Sequence, residues 1–133
     1  MTANDVYTIA LSFLSENTME TNDVQQFTLG WLNLLLQESL PYENAYRQVN
    51  KMQPLNKAPQ LAAFNEEIPY NDNITRIALP YGLASYYFID DDNDYRAQDF
   101  RGRYINALAE CVPYEQSGIC DVYTDEGEVA EDA

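Results

Sequence analysis

Apolar residues recur three and four positions apart through most of this chain, which predicts a run of helices separated by polar breaks. Val6, Ile9, Ala10 and Phe13 form the first set, behind the capping residues Asn4 and Asp5, and predict a helix over about 4–15. After a break at 16–20, Thr21, Asn22 and Asp23 cap a second helix running to about Ser39. Val24, Phe27, Trp31 and Leu34 make one stripe along it, and Leu29, Leu32, Leu36 and Leu40 make another. Apolar cover that wide predicts a central helix buried on most sides. Ser39 followed by Pro41 predicts a fresh start, since proline is tolerated in a first turn. Tyr42, Ala45, Tyr46, Val49 and Met52 line one face of that third helix, Arg47 and Lys51 decorate the other, and Pro54 and Pro59 end it.

Residues 54–71 read as an irregular connection with a short extended piece around Glu67-Ile68-Pro69-Tyr70, and connections of that length are often functional. Asn71, Asp72 and Asn73 cap the next helix, over about 72–89. Ile74, Ile77, Ala78, Tyr81, Ala84, Ser85 and Phe88 keep its spacing. Pro80 predicts a kink, because its ring meets the carbonyl of Arg76. An acidic turn at 90–94 closes a hairpin with a last helix over 94–111. That helix carries Ala97, Phe100, Tyr104, Ala107, Leu108 and Cys111 on one side and an Asp99/Arg103 pair on the other. The expected fold is all-α: a small bundle of about four to five helices over 1–112, with a long irregular loop and an extended acidic C-terminal tail over 113–133. Trp31, Leu35, Ile77, Phe88, Phe100 and Tyr104 are expected to share one core.

Charge narrows the roles. The 133 residues hold 7 Lys and Arg against 22 Asp and Glu, a net −15 at pH 7. Six of those acids lie between Asp121 and Asp132; without them the balance is 16 to 7, still −9. Such a surface repels nucleic-acid phosphate. It suits a basic partner, a DNA-mimicking decoy, or the wall of a passage to which DNA does not stick, and it also secures solubility. The 11 tyrosines suit both core rims and interfaces. Asp5 and the lack of a basic leading region predict no signal peptide. The apolar stretch 27–36 is too short to span a bilayer. Cys111 and Cys120 fit free cytosolic thiols, and a disulfide between them is not implied.

Several chemistries lack their residues. Histidine is absent, which removes imidazole bases, Ser-His-Asp and Cys-His arrangements and His-bearing zinc sites. There is no glycine-rich phosphate loop. Asp90, Asp92 and Asp94 imitate the opening of an EF-hand loop, but its sixth position is Tyr95 and its twelfth is Arg101, where glycine and glutamate are needed. Glu66 and Glu67 form a carboxylate pair on which nothing else converges. The expectation is a protein that is no enzyme and needs neither metal nor cofactor.

One arrangement carries a resemblance. Phe64-Asn65-Glu66-Glu67-Ile68-Pro69-Tyr70 leads into a helix containing Ile77-Ala78-Leu79-Pro80-Tyr81-Gly82-Leu83-Ala84 and Tyr86-Tyr87-Phe88. The acidic turn follows, and the last helix ends in Tyr104-Ile105-Asn106-Ala107-Leu108. Over residues 64–108 this resembles the head–tail connector (adaptor or head-completion) proteins of tailed bacteriophages, in which a Glu-Ile-Pro-like loop, a helix, an acidic turn and an aromatic-x-x-Ala-Leu helix follow one another. The resemblance implies a virion structural protein made in the host cytoplasm and placed in the neck. It implies a homo-oligomeric ring beneath the portal protein that meets a further neck or tail protein and extends a channel through which DNA passes without specific binding, with no membrane partner. Contacts are then expected from 54–70 and from the chain after Pro113, with Leu61, Phe64, Ile68, Tyr70, Tyr114, Ile119 and Tyr123 as the candidate assembly interface. The alternative is an acidic inhibitor or DNA mimic that binds a basic nucleic-acid-processing enzyme.

Overall fold

Thr2 opens the first helix, α1 (Ala3–Ser12): its hydroxyl accepts the Asp5 N–H at 3.2 Å, and the Asp5 carboxylate accepts the Thr2 N–H at 3.0 Å. This reciprocal capping box satisfies two orphan donors of the first turn. The bond from Thr2 N–H, followed by the Thr2 hydroxyl beside it, holds the Asp5 carboxyl below its usual range. The computed structural model describes residues 1–14 and 21–111; the expected tail lies outside them. Within them the fold is a small all-α bundle of α1, α2 (Thr21–Val49), α3 (Leu79–Asp90) and α4 (Asp94–Cys111), with a π-helical turn, Ile74–Ala78, leading directly into α3. No strand occurs among the described residues beyond an isolated antiparallel bridge between Thr2 and Glu67.

The break expected at Ser39 and Pro41 does not occur; one 29-residue helix runs through both. Pro41 removes the donor for the Gln37 carbonyl, but both residues face solvent, where that carbonyl is not stranded. On the buried side, side-chain hydroxyls reinforce the neighbouring turn. Ser39 donates to the Leu35 carbonyl at 2.7 Å and Tyr70 to that of Leu36 at 2.6 Å. The helix stops where Lys51 takes a left-handed φ of 60°, with Met52 N–H donating to Arg47 C=O and Lys51 N–H to Gln48 C=O, a Schellman ending.

The central helix is α3, not α2. It packs against the other three helices, and Leu79, Leu83, Ala84, Ser85, Tyr87 and Phe88 are all buried. Gly82 permits the close crossing, since a Cβ there would lie 2.8 Å from a Leu35 methyl and 3.0 Å from the Tyr104 ring. Where a kink is expected at Pro80, the structure has a π-helical turn just before it, in which Leu79 N–H reaches back to Ile74 C=O. One extra residue in that turn shifts the register, so Ile77 faces outward, 47% exposed, although its spacing predicted a core position. Leu35, Phe88, Phe100 and Tyr104 do share the core, and Trp31 packs against it half-buried.

Residues 53–71 are irregular, as the prolines predict, and they are pinned to the bundle. The Asn44 amide exchanges two hydrogen bonds with the Leu55 backbone, and Asn33 does the same with Leu61. Glu43, 1% exposed, accepts from Asn71 N–H at 2.7 Å and from its side-chain amide at 2.9 Å. Its other oxygen lies 2.6 Å from Arg47 Nε, and that guanidinium donates onward to the carbonyls of Gln53 and Pro69. A buried carboxylate is tolerable only with such complete pairing. At the far end, Ala3 and Asn4 N–H groups donate to the carbonyls of Glu66 and Phe64, and Ile68 N–H donates to that of Met1. The extended piece expected around Glu67 is therefore paired with the start of α1.

Candidate interaction surface

The pinned connection decides the fate of the predicted interface residues. Leu61, Ile68 and Tyr70 are 5%, 3% and 7% exposed and belong to the chain's own core. Phe64 is partly buried, its ring 5.3 Å from that of Tyr7. In this conformation these four side chains serve the bundle rather than a neighbour, because the asparagine pins and the Thr2–Glu67 bridge draw the loop inward. Tyr114, Ile119 and Tyr123 lie outside the described residues.

Exposed apolar residues lie elsewhere: Tyr95 and Ile105 stand on α4 and Ile77 in the π-helical turn, and a clustered set lies on α2 and α3. Phe27 and Leu34 are 48% and 57% exposed, and Trp31 lies between them on the same helical face. Trp31 meets the Phe27 ring at 5.7 Å on one side and stacks on Tyr86 of α3 at 5.7 Å on the other. Its edge meets Tyr87, whose hydroxyl shares a buried 2.9 Å hydrogen bond with Thr28. One turn beyond Tyr86, Ile89 is 55% exposed and borders a hollow of about 340 Å³ with Asp94, Ala97, Gln98 and Arg101. The α2 periodicity thus contains two stripes with opposite roles. Leu32, Leu35 and Leu36 face the core, and Phe27, Trp31 and Leu34 face out. The segregation of the two stripes was visible in the sequence; which one faced inward was not.

Charge is distributed unevenly around this surface. Arg101 of α4 is bound through both terminal nitrogens by the Glu38 carboxylate of α2, and its charge sits over the Tyr104 ring. The bond to Glu38 raises the Arg101 pKa. Burial, followed by Glu38, pushes the Tyr86 hydroxyl up. Beyond Ile89 the α3–α4 turn exposes Asp90, Asp91, Asp92 and Asp94, none with an ion-pair partner among the described residues. Asp92 adopts φ 57° in a second Schellman ending, with Asn93 N–H donating to Phe88 C=O, while the Asn93 side chain caps α4. The other α4 arginines, Arg96 and Arg103, sit over Phe88 and over Tyr81 and Phe100.

Among the described residues no three His, Cys, Asp or Glu side chains gather to hold a metal ion, and no helix is long and apolar enough to cross a membrane. A groove of about 580 Å³ beside α1 is lined by Met1, Asp5, Thr8, Ile9 and Arg76, which offer no nucleophile paired with a base. Burial, followed by the Glu110 carboxylate, raises the Cys111 thiol pKa. Comparison with known proteins finds no matching family model, no matching curated protein and no matching solved structure.

Proposed function

We propose that this chain is a structural protein of the phage head–tail connector kind, non-enzymatic, which joins a ring beneath a portal in the virion neck. The observation that carries the reading is the open aromatic and aliphatic strip of Phe27, Trp31, Leu34, Tyr86 and Ile89 on a chain of net charge −15. A contiguous apolar strip of this kind is a surface built for a macromolecular contact. Residues 64–108 add the resemblance to connectors, and a wall of like charge to DNA suits a channel through which DNA slides.

The test is incorporation into portal-bearing particles. Leu34→Asp, checked for unchanged helical content and melting, should fail to incorporate while the native chain does. Normal incorporation of the folded variant, or no association of the native chain with any portal, refutes the proposal. A tight one-to-one complex with a basic nuclease, weakened steeply by salt, would establish the DNA-mimic alternative instead.

A further inference from the structure

The strip has a shape and a charge that together specify what covers it. Phe27, Trp31 and Leu34 stand at i, i+4 and i+7, and with Glu38 they extend about 17 Å along α2 at 1.5 Å per residue. Tyr86 and Ile89 run beside them on α3, so the face spans two helices bridged by the Trp31–Tyr86 stack, with the hollow between Ile89 and α4 beside it. The surface consists of helical ridges and offers side-chain grooves rather than backbone hydrogen bonds, which suits a helix laid against it. The rim supplies the sign. Its base, Arg101, is neutralised by Glu38, whereas Asp90, Asp91, Asp92 and Asp94 stand exposed beside Ile89, and Asp94 borders the hollow itself. A second copy, also carrying −15, would bring like charge to this rim.

We infer that the α2–α3 face is a docking site for an amphipathic helix of another protein, one whose apolar ridge is flanked by Lys or Arg. The ridge lies along Phe27, Trp31 and Leu34. One apolar side chain enters the hollow between Ile89 and Ala97, and the flanking cations meet Asp91 and Asp94. The inference rests on reading this face as a macromolecular contact, and it does not require that the partner be a portal.

Trp31, the one tryptophan of the chain, lies within the face and reports its occupancy. The probes are three synthetic peptides of about four to five turns: an amphipathic Leu/Lys helix, its Leu/Glu counterpart, and the Leu/Lys composition in scrambled order. The amphipathic Leu/Lys peptide is expected to bind one-to-one, with a saturable change in Trp31 emission and an affinity at least tenfold above either control. Leu34→Asp should weaken it tenfold or more without altering the melting curve. Asp91→Asn with Asp94→Asn should weaken it severalfold and flatten its salt dependence. The double asparagine variant also provides the fold-neutral arm if Leu34→Asp perturbs folding. Equal binding of the scrambled peptide, no saturable binding, or indifference to both variants overturns the inference. Concentration-dependent self-association that produces the Trp31 change without peptide overturns it in favour of a second copy. If the peptide fails while Leu34→Asp still blocks portal incorporation, this inference falls and the proposed function stands.

Discussion

Trp31 and Tyr86 stack with ring centroids 5.7 Å apart and planes 6° from parallel, joining α2 to α3 at the surface rather than in the core. A fully buried tryptophan replaced by alanine costs about 3–5 kcal/mol. Half-burial lowers the expectation for Trp31→Ala to about 2 kcal/mol in urea unfolding. Tyr86→Ala should cost about 1 kcal/mol beyond its lost area and shift Trp31 emission. A cost above 4 kcal/mol for Trp31→Ala would place the residue in the core after all.

The three described glycines separate by environment. Gly30 and Gly102 have nothing within 4 Å of a built Cβ, so alanine at either should stabilise by about 0.5–1 kcal/mol through helix propensity. Gly82→Ala gains the same propensity but drives a methyl against Leu35 and Tyr104, both fully buried, at an overpacking cost of about 1–3 kcal/mol. Chemical denaturation should therefore give opposite signs for Gly82 and the other two.

Glu43→Ala leaves Arg47 without its carboxylate and Asn71 without its acceptor. Removing one partner of such a pair is expected to cost about 3 kcal/mol. The loop should loosen more than the bundle, so trypsin cleavage at the exposed Lys57 should accelerate while helical circular dichroism is retained. Unchanged cleavage at Lys57 would show that the asparagine pins alone hold the connection.

Burial raises the hydroxyl pKa of Tyr70, Tyr87 and Tyr104 well above the ordinary value of 10.0. In the unfolded chain these groups lose protons near pH 10, whereas the folded chain keeps them, so the unfolded state binds fewer protons above that pH. Their stabilising contribution is present in full below pH 10 and is lost as pH rises beyond it. Tyrosinate absorbance should accordingly show a subset of the 11 tyrosines titrating late and cooperatively, together with loss of helix. Simple titration of all of them near pH 10 in the folded protein would contradict this.

The helices and the acidic hairpin were legible because spacing is a local signal, whereas the cap of α1 is Thr2 and not the expected Asn4 or Asp5, which lie inside the helix. The two prolines were read less well, since the effect of Pro41 depends on Gln37 facing solvent and that of Pro80 on the wider turn from Ile74 to Ala78. That extra residue also misplaced Ile77 and hid the centrality of α3. The loop misled for a different reason. Leu61, Ile68 and Tyr70 looked free because their anchors, Asn33 and Glu43, are polar residues of ordinary surface type, 28 positions from their backbone partners in sequence. Periodicity located both stripes of α2, but facing is a tertiary property, so the wide apolar cover predicts a helix buried on most sides where Phe27 and Leu34 stand exposed.

The asparagine pins and Glu43 divide one long excursion into several short spans with fixed stations at Leu55, Leu61 and Asn71. Closure entropy then accrues span by span, and added length within one span costs only logarithmically. Between Leu55 and Leu61 lie Asn56, Lys57 and Gln60, all exposed. New sequence introduced between Asn56 and Lys57 would lengthen a single span and leave the seats of Leu55, Ala58 and Leu61 untouched, which makes that point the natural port for a graft, a label or an inherited insertion.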